Sequence, residues 1–560
     1  MLYARTVPTL KHQKPRRRVA VSLLSRLNSL TVCMPPSETE PSQVPLYFNF
    51  AIDVFDRWTE QRPDACALWC FHSTSGAEEK FAFRELSVLS RRAAAFLQAS
   101  GVRRGDRVLI MLPRIPQWWY MMLGLIRLGA VPVPGTLLLT ARDVAYRLGA
   151  ADIRAVITNQ EGISKVGAFD GLRFLVDGDR AGWTDLARGT RDASAEFIAP
   201  RTFSDDPGIL YFTSATTGEP KMVLHTQASY GLAHRATAKY WLDLKPDDVH
   251  WNLSDLGWAK AAWSSFYGPW HMGSCIFAMD SPGKFEPVAA LDVLARFPIT
   301  TWCVPPTALR FMVRQDLSRW RFPHLRHCVT AGEPLNPEVF HAWRNATGLT
   351  LYEGYGQTES IVQVGNFRCL GHEVRPGSMG KPTPGMDVVV LDDSLNEAPP
   401  GVEGEIALRV RPRRPLGLFR DYWRNHDNGS NHFQGDWYLT GDRAVRDADG
   451  YFWFVGRKDD VIKSSGYRIG PFEVESALLE HPAVLDAAVI GKPDSLRGQI
   501  VKACVVLREG YGAAEELKAE LQAHCKNLVA AYKYPREVEF VQDLPRTISG
   551  KTRRVQLRQG

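Results

Sequence analysis

A chain of 560 residues exceeds the length over which one hydrophobic core keeps growing, so at least two domains are expected. Its apolar share of 45% and charged share of 23% are those of an ordinary globular protein. The net charge of +7 does not mark a nucleic-acid binder. Seven basic residues (Arg5, Lys11, Lys14, Arg16, Arg17, Arg18 and Arg26) precede the first acid, Glu38, and the remainder holds 61 basic against 61 acidic residues.

Residues 1–44 are read as a basic, disordered extension. The segment is Arg-rich and acid-poor, as organelle transit peptides are, and Met34 offers a later natural start. A cytoplasmic protein is expected, or one of the mitochondrial matrix if the extension is a transit peptide. From Phe48 a helical pattern, "AIDVFDRWTEQRP", runs to a proline stop. Cys66 and Cys70 lie four apart without a second pair, which argues against zinc, and nine scattered cysteines do not form a disulfide framework. Reduced, buried thiols are the simplest account. The run "WWYMMLGLI" (Trp118 to Ile126) stops at Arg127, too short for a membrane span.

Short apolar runs follow one another: "RVLIML" (107–112), "AVIT" (155–158) and "GILYFTS" (208–214), with helical stretches between them. The alternation predicts βαβ units around a mostly parallel sheet. The third run leads into "YFTSATTGEPKMV" (211–223). Here Thr213, Ser214, Thr216 and Thr217 supply hydroxyl donors, Gly218 lets backbone approach a ligand, and Lys221 adds a point charge. This is a phosphate loop but not a Walker sequence, since Glu219 and Pro220 separate Gly218 from Lys221.

After Pro376 the texture changes. Strands such as "DVVVLDD" and "GEIALRVR" between Gly/Pro turns predict a small β-rich section. A polar junction, "GRKDD" (456–460), introduces a helix, "PFEVESALLEHP", and two strands, "VLDAAVIG" and "VKACVVL". Together they predict a compact α+β unit of about 100 residues. The boundary falls near Lys458: residues 45–457 form a large domain and 458–560 a small one.

Five motifs occur in order: "YFTSATTGEPK", "GYGQTE" (354–359), "YLTGD" (438–442), "GRKDDVIKSSGYRIGPFEVE" (456–475) and "PRTISGK" (545–551). They resemble the serial signatures of the acyl-adenylate-forming (AMP-binding) superfamily. "SSGYRIGP", "YKYP" (532–535) and "DLGWAK" (255–260) are most similar to medium-chain acyl-CoA synthetases. The resemblance covers residues 45–558. It implies an α/β fold with a large N-terminal domain of βαβ subdomains, a small β-barrel section, and a small mobile α+β C-terminal domain. It also implies ATP, Mg²⁺ and coenzyme A as cofactor and cosubstrates.

The resemblance assigns the ATP site to Thr213, Ser214, Ala215, Thr216, Thr217, Gly218, Glu219, Pro220 and Lys221, with Glu333 and with Glu353, Gly354, Tyr355, Gly356, Gln357 and Thr358. Asp442, Arg457 and Lys551 complete it. Tyr355 would stack on adenine, Asp442 accept both ribose hydroxyls, and Arg457 reach ribose or α-phosphate. Thr358 would approach the acyl-phosphate, and Glu359 would hold Mg²⁺. Catalytic roles fall to Lys551, Thr358 and Lys221. The family commonly has glycine where Ala215 stands; if that position needs positive φ, alanine costs about 1 kcal/mol.

Ser465, Gly466, Tyr467, Arg497, Tyr532 and Lys533 match the coenzyme A positions, the two cations suiting its 3′-phosphate. Trp258 and Trp263 would border the acyl pocket. Lys551 and the Ser464–Tyr467 stretch lie on one small domain but serve different half-reactions. Both cannot occupy one active site, so rotation about a hinge at Asp459 is implied. The expected protein is an AMP-forming acid–thiol ligase acting on a medium-chain, branched or aromatic acid, as a monomer or homodimer. The alternative is a freestanding adenylating enzyme that loads an acyl group onto a carrier protein.

Overall fold

The computed structural model describes residues 44–213, 219–424, 432–547 and 550–559. The described residues from Leu46 onward form one compact unit.

The central feature is a 14-stranded sheet. Its middle is parallel. Strands Cys66–His72, Cys275–Asp280, Val249–Asn252, Thr301–Val304, His327–Ala331 and Leu351–Gly356 lie side by side in that order. Parallel neighbours need crossovers, here built partly from helices Pro287–Arg296, Pro306–Met312 and Pro337–Thr347. Each begins on proline, whose fixed φ suits the first helical position and whose missing N–H costs nothing there. All four residues of Thr301–Val304 and all five of His327–Ala331 are buried, as strands covered on both faces must be.

Beyond Leu351–Gly356 the same ladder becomes antiparallel. It passes through Val362–Gly365, Ser378–Pro382, Phe452–Arg457, Trp437–Arg446, Glu403–Arg409 and Val388–Leu391. The β-rich section expected after Pro376 is therefore continuous with the parallel centre.

A second, all-parallel sheet orders Val131–Pro134, Arg107–Met111, Ile153–Thr158, Leu172–Leu175 and Thr184–Asp185. The apolar run at Trp118 is helix Pro116–Leu128, buried on nearly every side. A helix apolar all round belongs inside the protein. It lies so close to helix Phe83–Ala99 that a Cβ on Gly124 would stand 2.8 Å from the Ala93 Cβ. Its Arg127 is buried against Asp56 at 2.6 Å.

One expectation is corrected. Pro207–Phe212 does not join a parallel sheet; it pairs antiparallel with Met222–Thr226, which also pairs with Asp421–Tyr422. The nine residues between the two strands are too few for a crossover, so the strands are the arms of a hairpin.

The C-terminal α+β unit has its own sheet, ordered Tyr467–Ile469, Ile462–Ser464, Gly498–Leu507 and Val484–Asp494, with Glu537–Phe540 parallel to Gly498–Leu507. Helices Pro471–Leu479 and Glu515–Leu528 close its core through Val474, Leu478, Leu521 and Cys525. It touches the large domain where Asn336 Nδ2 donates to Ser476 Oγ (3.0 Å) and Arg468 pairs with Asp393 (2.8 Å). Eight cysteines are described and all are free thiols; six of them are buried. Among the described residues no helix is long and apolar enough to cross a membrane.

Candidate active site

The site gathers where the parallel centre of the sheet gives way to the antiparallel arm. Strand Leu351–Gly356 carries Glu353, Gly354, Tyr355 and Gly356, and its glycines answer to packing rather than to positive φ. A Cβ on Gly354 would stand 2.6 Å from the Trp241 ring, and one on Gly356 would stand 2.5 Å from the Ile361 carbonyl and 2.7 Å from Trp263. Two tryptophans thus press the strand from below. Trp263 is fixed in turn by its Nε1–H donating to Tyr230 Oη (2.8 Å). Trp258, half-buried, precedes the helix Ala259–Ser264 that holds Trp263.

The expected nucleotide residues form one hydrogen-bonded group. Tyr355 Oη donates to Asp442 Oδ2 (2.7 Å), and Gln357 Nε2 donates to the same oxygen (2.7 Å) and to the Thr440 carbonyl (2.9 Å). Asp442 faces Arg457 across neighbouring strands. Burial raises the Asp442 carboxyl above its ordinary value, against the pull of Arg457, Tyr355 and Gln357. Behind them Glu405 accepts from the Gly441 N–H (3.0 Å) and the Lys458 ammonium (3.0 Å), tying the polar junction to this corner.

Thr358 and Glu359 are braced from the hairpin side. His225 Nε2–H donates to the Thr358 carbonyl (2.8 Å), and burial pushes that imidazole down to about 3, so it is neutral at working pH. Tyr422 Oη donates to Glu359 Oε1 (2.8 Å), and among the described residues Oε2 accepts no hydrogen bond. One carboxylate oxygen open to a hard cation suits Mg²⁺, which takes most of its other ligands from phosphates and water.

Glu333 accepts from the Thr307 N–H (3.1 Å), the Thr307 hydroxyl and Arg310 (3.1 Å). Burial pushes its carboxyl up, but Arg310 and Thr307 outweigh that and hold it below the usual range. Glu353, by contrast, is buried with the Leu335 N–H as its partner (3.3 Å), and burial lifts its carboxyl to about 8. It braces the turn that presents Glu333.

Lys551 comes from the far end of the chain. A turn closed by Thr547 N–H donating to the Lys551 carbonyl (2.7 Å) sets it at the same cleft. The residue is solvent-accessible, yet the protein around its ammonium lowers its pKa, while Glu333 and Asp442 pull it back up. The coenzyme A candidates form a separate cluster on the small domain. Arg497 Nη1 donates to Ser465 Oγ (3.1 Å), Gly466 has φ +84°, and Tyr467 stacks on Tyr532 at 4.2 Å with both rings exposed. Lys533 is already paired with Glu473 at 2.6 Å. Asp459 is an exposed residue in the turn between the domains.

Of the phosphate loop, Ser214, Ala215, Thr216, Thr217 and Gly218 lie outside the described residues. Its neck is described: Thr213 N–H donates to the Lys221 carbonyl (2.9 Å), and Lys221 N–H donates back to Thr213 Oγ1 (3.1 Å). Glu219 is exposed, and the Pro220 carbonyl accepts from Tyr146 Oη (3.3 Å). Sequence reasoning did not reach Thr307, Arg310, Tyr422 or His432, which stand on these groups. None lies in a motif, and only the fold brings them near.

A parallel sheet with this corner, a hairpin rich in hydroxyl residues and a lysine on a second domain is the build of an acyl-adenylate-forming enzyme. The chain belongs to the AMP-binding enzyme family: residues 55–423 match the AMP-binding enzyme model, and 473–551 match the model of its C-terminal domain. The mitochondrial acyl-coenzyme A synthetase ACSM3 of Mus musculus is 47% identical over 531 residues, 92% of this chain and 91% of that protein. The mitochondrial acyl-coenzyme A synthetase ACSM5 of Homo sapiens is 48% identical over 530 residues, with coverage of 92% and 91%. Among solved structures, the anthranilate CoA ligase AuaEII in complex with anthranoyl-AMP superposes with a TM-score of 0.84 at 31% identity, covering 92% of this chain and 98% of that one. A Brucella canis acyl-CoA synthetase gives 0.72 at 34%, covering 92% and 94%.

Proposed function

We propose that this chain converts a carboxylic acid to its coenzyme A thioester in two steps. Acid and ATP form acyl-AMP and diphosphate, and the thiol of coenzyme A then displaces AMP. The kinship with acyl-coenzyme A synthetases and CoA ligases favours coenzyme A over a carrier protein as acceptor. The observation that carries the reading is the approach of the Lys551 turn to Thr307, which holds Glu333: a Cβ on Gly550 would stand 3.9 Å from Thr307 Oγ1, while the Ser465–Arg497–Tyr532 cluster stands apart on the small domain.

A carboxylate resists nucleophiles because it is an anion with no good leaving group. Activation must bring two anions together, and Lys551 places a cation where that charge builds. Tyr355 offers an aromatic face to adenine, Asp442 a carboxylate to ribose, and Lys221 a cation to the phosphates. Mg²⁺ held at Glu359 would neutralise phosphate charge when bound. For the second step the small domain turns about Asp459, withdraws Lys551 and presents Ser465, Gly466, Tyr467 and Arg497 to the thiol donor. Lys533 reaches the 3′-phosphate of coenzyme A only by sharing its charge with Glu473. Trp258 and Trp263 border the acyl chain, which we place among medium-chain, branched or aromatic acids.

The basic stretch before Glu38, with the mitochondrial names of these relatives, supports a mitochondrial rather than a cytoplasmic protein. A fusion of residues 1–44 to a reporter tests that placement. The enzymatic reading is tested by offering acids of C2–C12, branched and aryl type and reading diphosphate release with and without coenzyme A. If no acid elicits diphosphate release, the reading is wrong.

A further inference from the structure

Two thiols from distant parts of the chain meet near the outer end of the large sheet. Cys275 Sγ–H donates to Cys66 Sγ at 3.4 Å, across 209 positions of sequence. Cys66 opens strand Cys66–His72 and Cys275 opens strand Cys275–Asp280, which pair in parallel with Leu68 opposite Ile276. Strand Glu78–Ala82 lies beyond them as the edge of the sheet.

Regular pairing would not bring them together. Side chains alternate across a strand. Leu68 and Ile276 enter one core while Phe71 and Phe277 enter another, so Cys275 falls on the Phe277 face. Strict alternation would turn Cys66 the other way, with Leu68. A bulge reverses this. Cys66 pairs with Ala82 but Leu68 with Phe81, so two steps of one strand oppose one of the other. Ala67 is thereby turned into the core beside Leu68, its carbonyl accepting from Trp270 Nε1–H (3.0 Å), and Cys66 comes round to Cys275. A diagonal of one residue across neighbouring strands sets their Cα atoms about 6 Å apart, within the range that disulfides span.

The two sulfurs are unequal. Cys66 is half-buried beside the edge strand, whereas Cys275 is 6% exposed. The Lys80 ammonium, seated 3.6 Å over the ring of Trp69, brings a positive charge to this face. The hydrogen bond from Cys275, with the Lys80 charge, holds the Cys66 thiol below its ordinary value against the effect of burial. Giving that bond, and being buried, push the Cys275 thiol well up. We propose that Cys66 and Cys275 are a dithiol redox site, which a small disulfide such as glutathione disulfide oxidises to an intrachain bridge. The Cys66 thiolate attacks one sulfur of the oxidant, forming a mixed disulfide and expelling one glutathione thiolate, which takes up a proton. Cys275 then gives up its proton, attacks the Cys66 sulfur and expels the second glutathione. Two protein thiols lose two electrons and two protons, and one small disulfide becomes two thiols. Closing the bond draws the sulfurs from 3.4 Å to about 2.05 Å. The site is independent of the enzymatic reading above.

The test takes the full chain, fully reduced and then equilibrated with glutathione mixtures of rising disulfide content. Remaining thiols are blocked by alkylation and the peptides are mapped by mass. Wild type should lose Cys66 and Cys275 together, as one cross-linked pair of peptides without retained glutathione, and a dithiol reductant should restore both. Cys275→Ala should hold glutathione on Cys66, and Cys66→Ser should leave Cys275 reduced. The bridge closes a loop of 209 positions, so oxidation should raise the melting transition of wild type by about 5 °C and leave that of Cys66→Ser unmoved. The exposed Cys369 reports that the oxidant has reacted. Cys66 and Cys275 still alkylated once Cys369 has reacted, glutathione persisting on Cys66 in wild type, either sulfur bridged to a different cysteine, or an unshifted melting transition would each overturn the proposal.

Discussion

Arg554 clamps the C-terminal helix Arg554–Gln559 to its domain, and cutting the clamp tests whether the placement of Lys551, three residues earlier, limits only the first half-reaction. One guanidinium nitrogen straddles both oxygens of Glu475, at 2.7 and 2.9 Å. A second donates to the Val489 carbonyl (3.2 Å), and a third lies 3.5 Å from Asp460, next to the proposed hinge. The two side chains are 23% and 10% exposed. Removing one partner of a buried pair costs about 3–5 kcal/mol. Glu475 would keep the Val489 N–H at 2.8 Å, and Arg554 is partly hydrated, so about 2–3 kcal/mol is expected for Arg554→Met. For a unit of about 100 residues that lowers its melting transition by about 10–20 °C. Below that transition, Lys551 loses its anchor, and a displacement of about 1 Å costs on the order of a hundredfold in rate.

Acid-dependent ATP–diphosphate exchange should therefore fall about a hundredfold in Arg554→Met. Thioester formation from supplied acyl-adenylate should change little, because Ser465, Arg497 and Tyr532 are held by other contacts. Adding Glu475→Gln removes the stranded charge and should recover about 2 kcal/mol of the stability, with coupling read from a double-mutant cycle. An unchanged melting transition would refute the energetic reasoning. Equal loss in both half-reactions would refute the link to Lys551.

Three other outcomes are expected. Lys551→Ala should suppress acyl-adenylate formation by about a hundredfold or more while sparing thioester formation from supplied acyl-adenylate, as single-turnover measurements of each step will tell. Asp459→Pro should do the reverse, slowing thioester formation more than adenylation, because a fixed φ stiffens the turn; unaffected transfer to coenzyme A would exclude it as the hinge. Glu353, with its carboxyl raised to about 8, is protonated in the fold and ionised in the unfolded chain between the two pKa values. Its contribution is whole below the unfolded value and is lost as pH rises through about 8, a change of about 2–5 kcal/mol. Glu353→Gln keeps the acceptor for Leu335 N–H, so its melting temperature should decline less than that of wild type between pH 5 and about 9.

Much of this was legible in the chain because chemistry writes itself into residue type and order. The apolar runs at Arg107 and Ala155 became strands, and the segments at Pro471, Val484 and Val501 assembled the α+β unit anticipated there. The motifs carried Tyr355, Gln357 and Asp442, which the fold joins into one hydrogen-bonded group. The direction of Pro207–Phe212 was misjudged because an apolar run reads the same in either pairing, and only the brevity of the connection separates hairpin from crossover.

What the amino-acid order determined alone was the inventory: which side chains exist, their local periodicity, and the neutral body behind a basic N-terminal stretch. The tertiary structure decided company. It set His432 against Lys221 across 211 positions, buried Glu353 while turning Tyr422 onto one oxygen of Glu359, and brought the turn of Lys551 against Thr307 from another domain. Periodicity reports only the face on which a residue lies. Which distant face it meets depends on how whole elements pack, and it is that meeting which fixes desolvation, charge and hydrogen-bond partners.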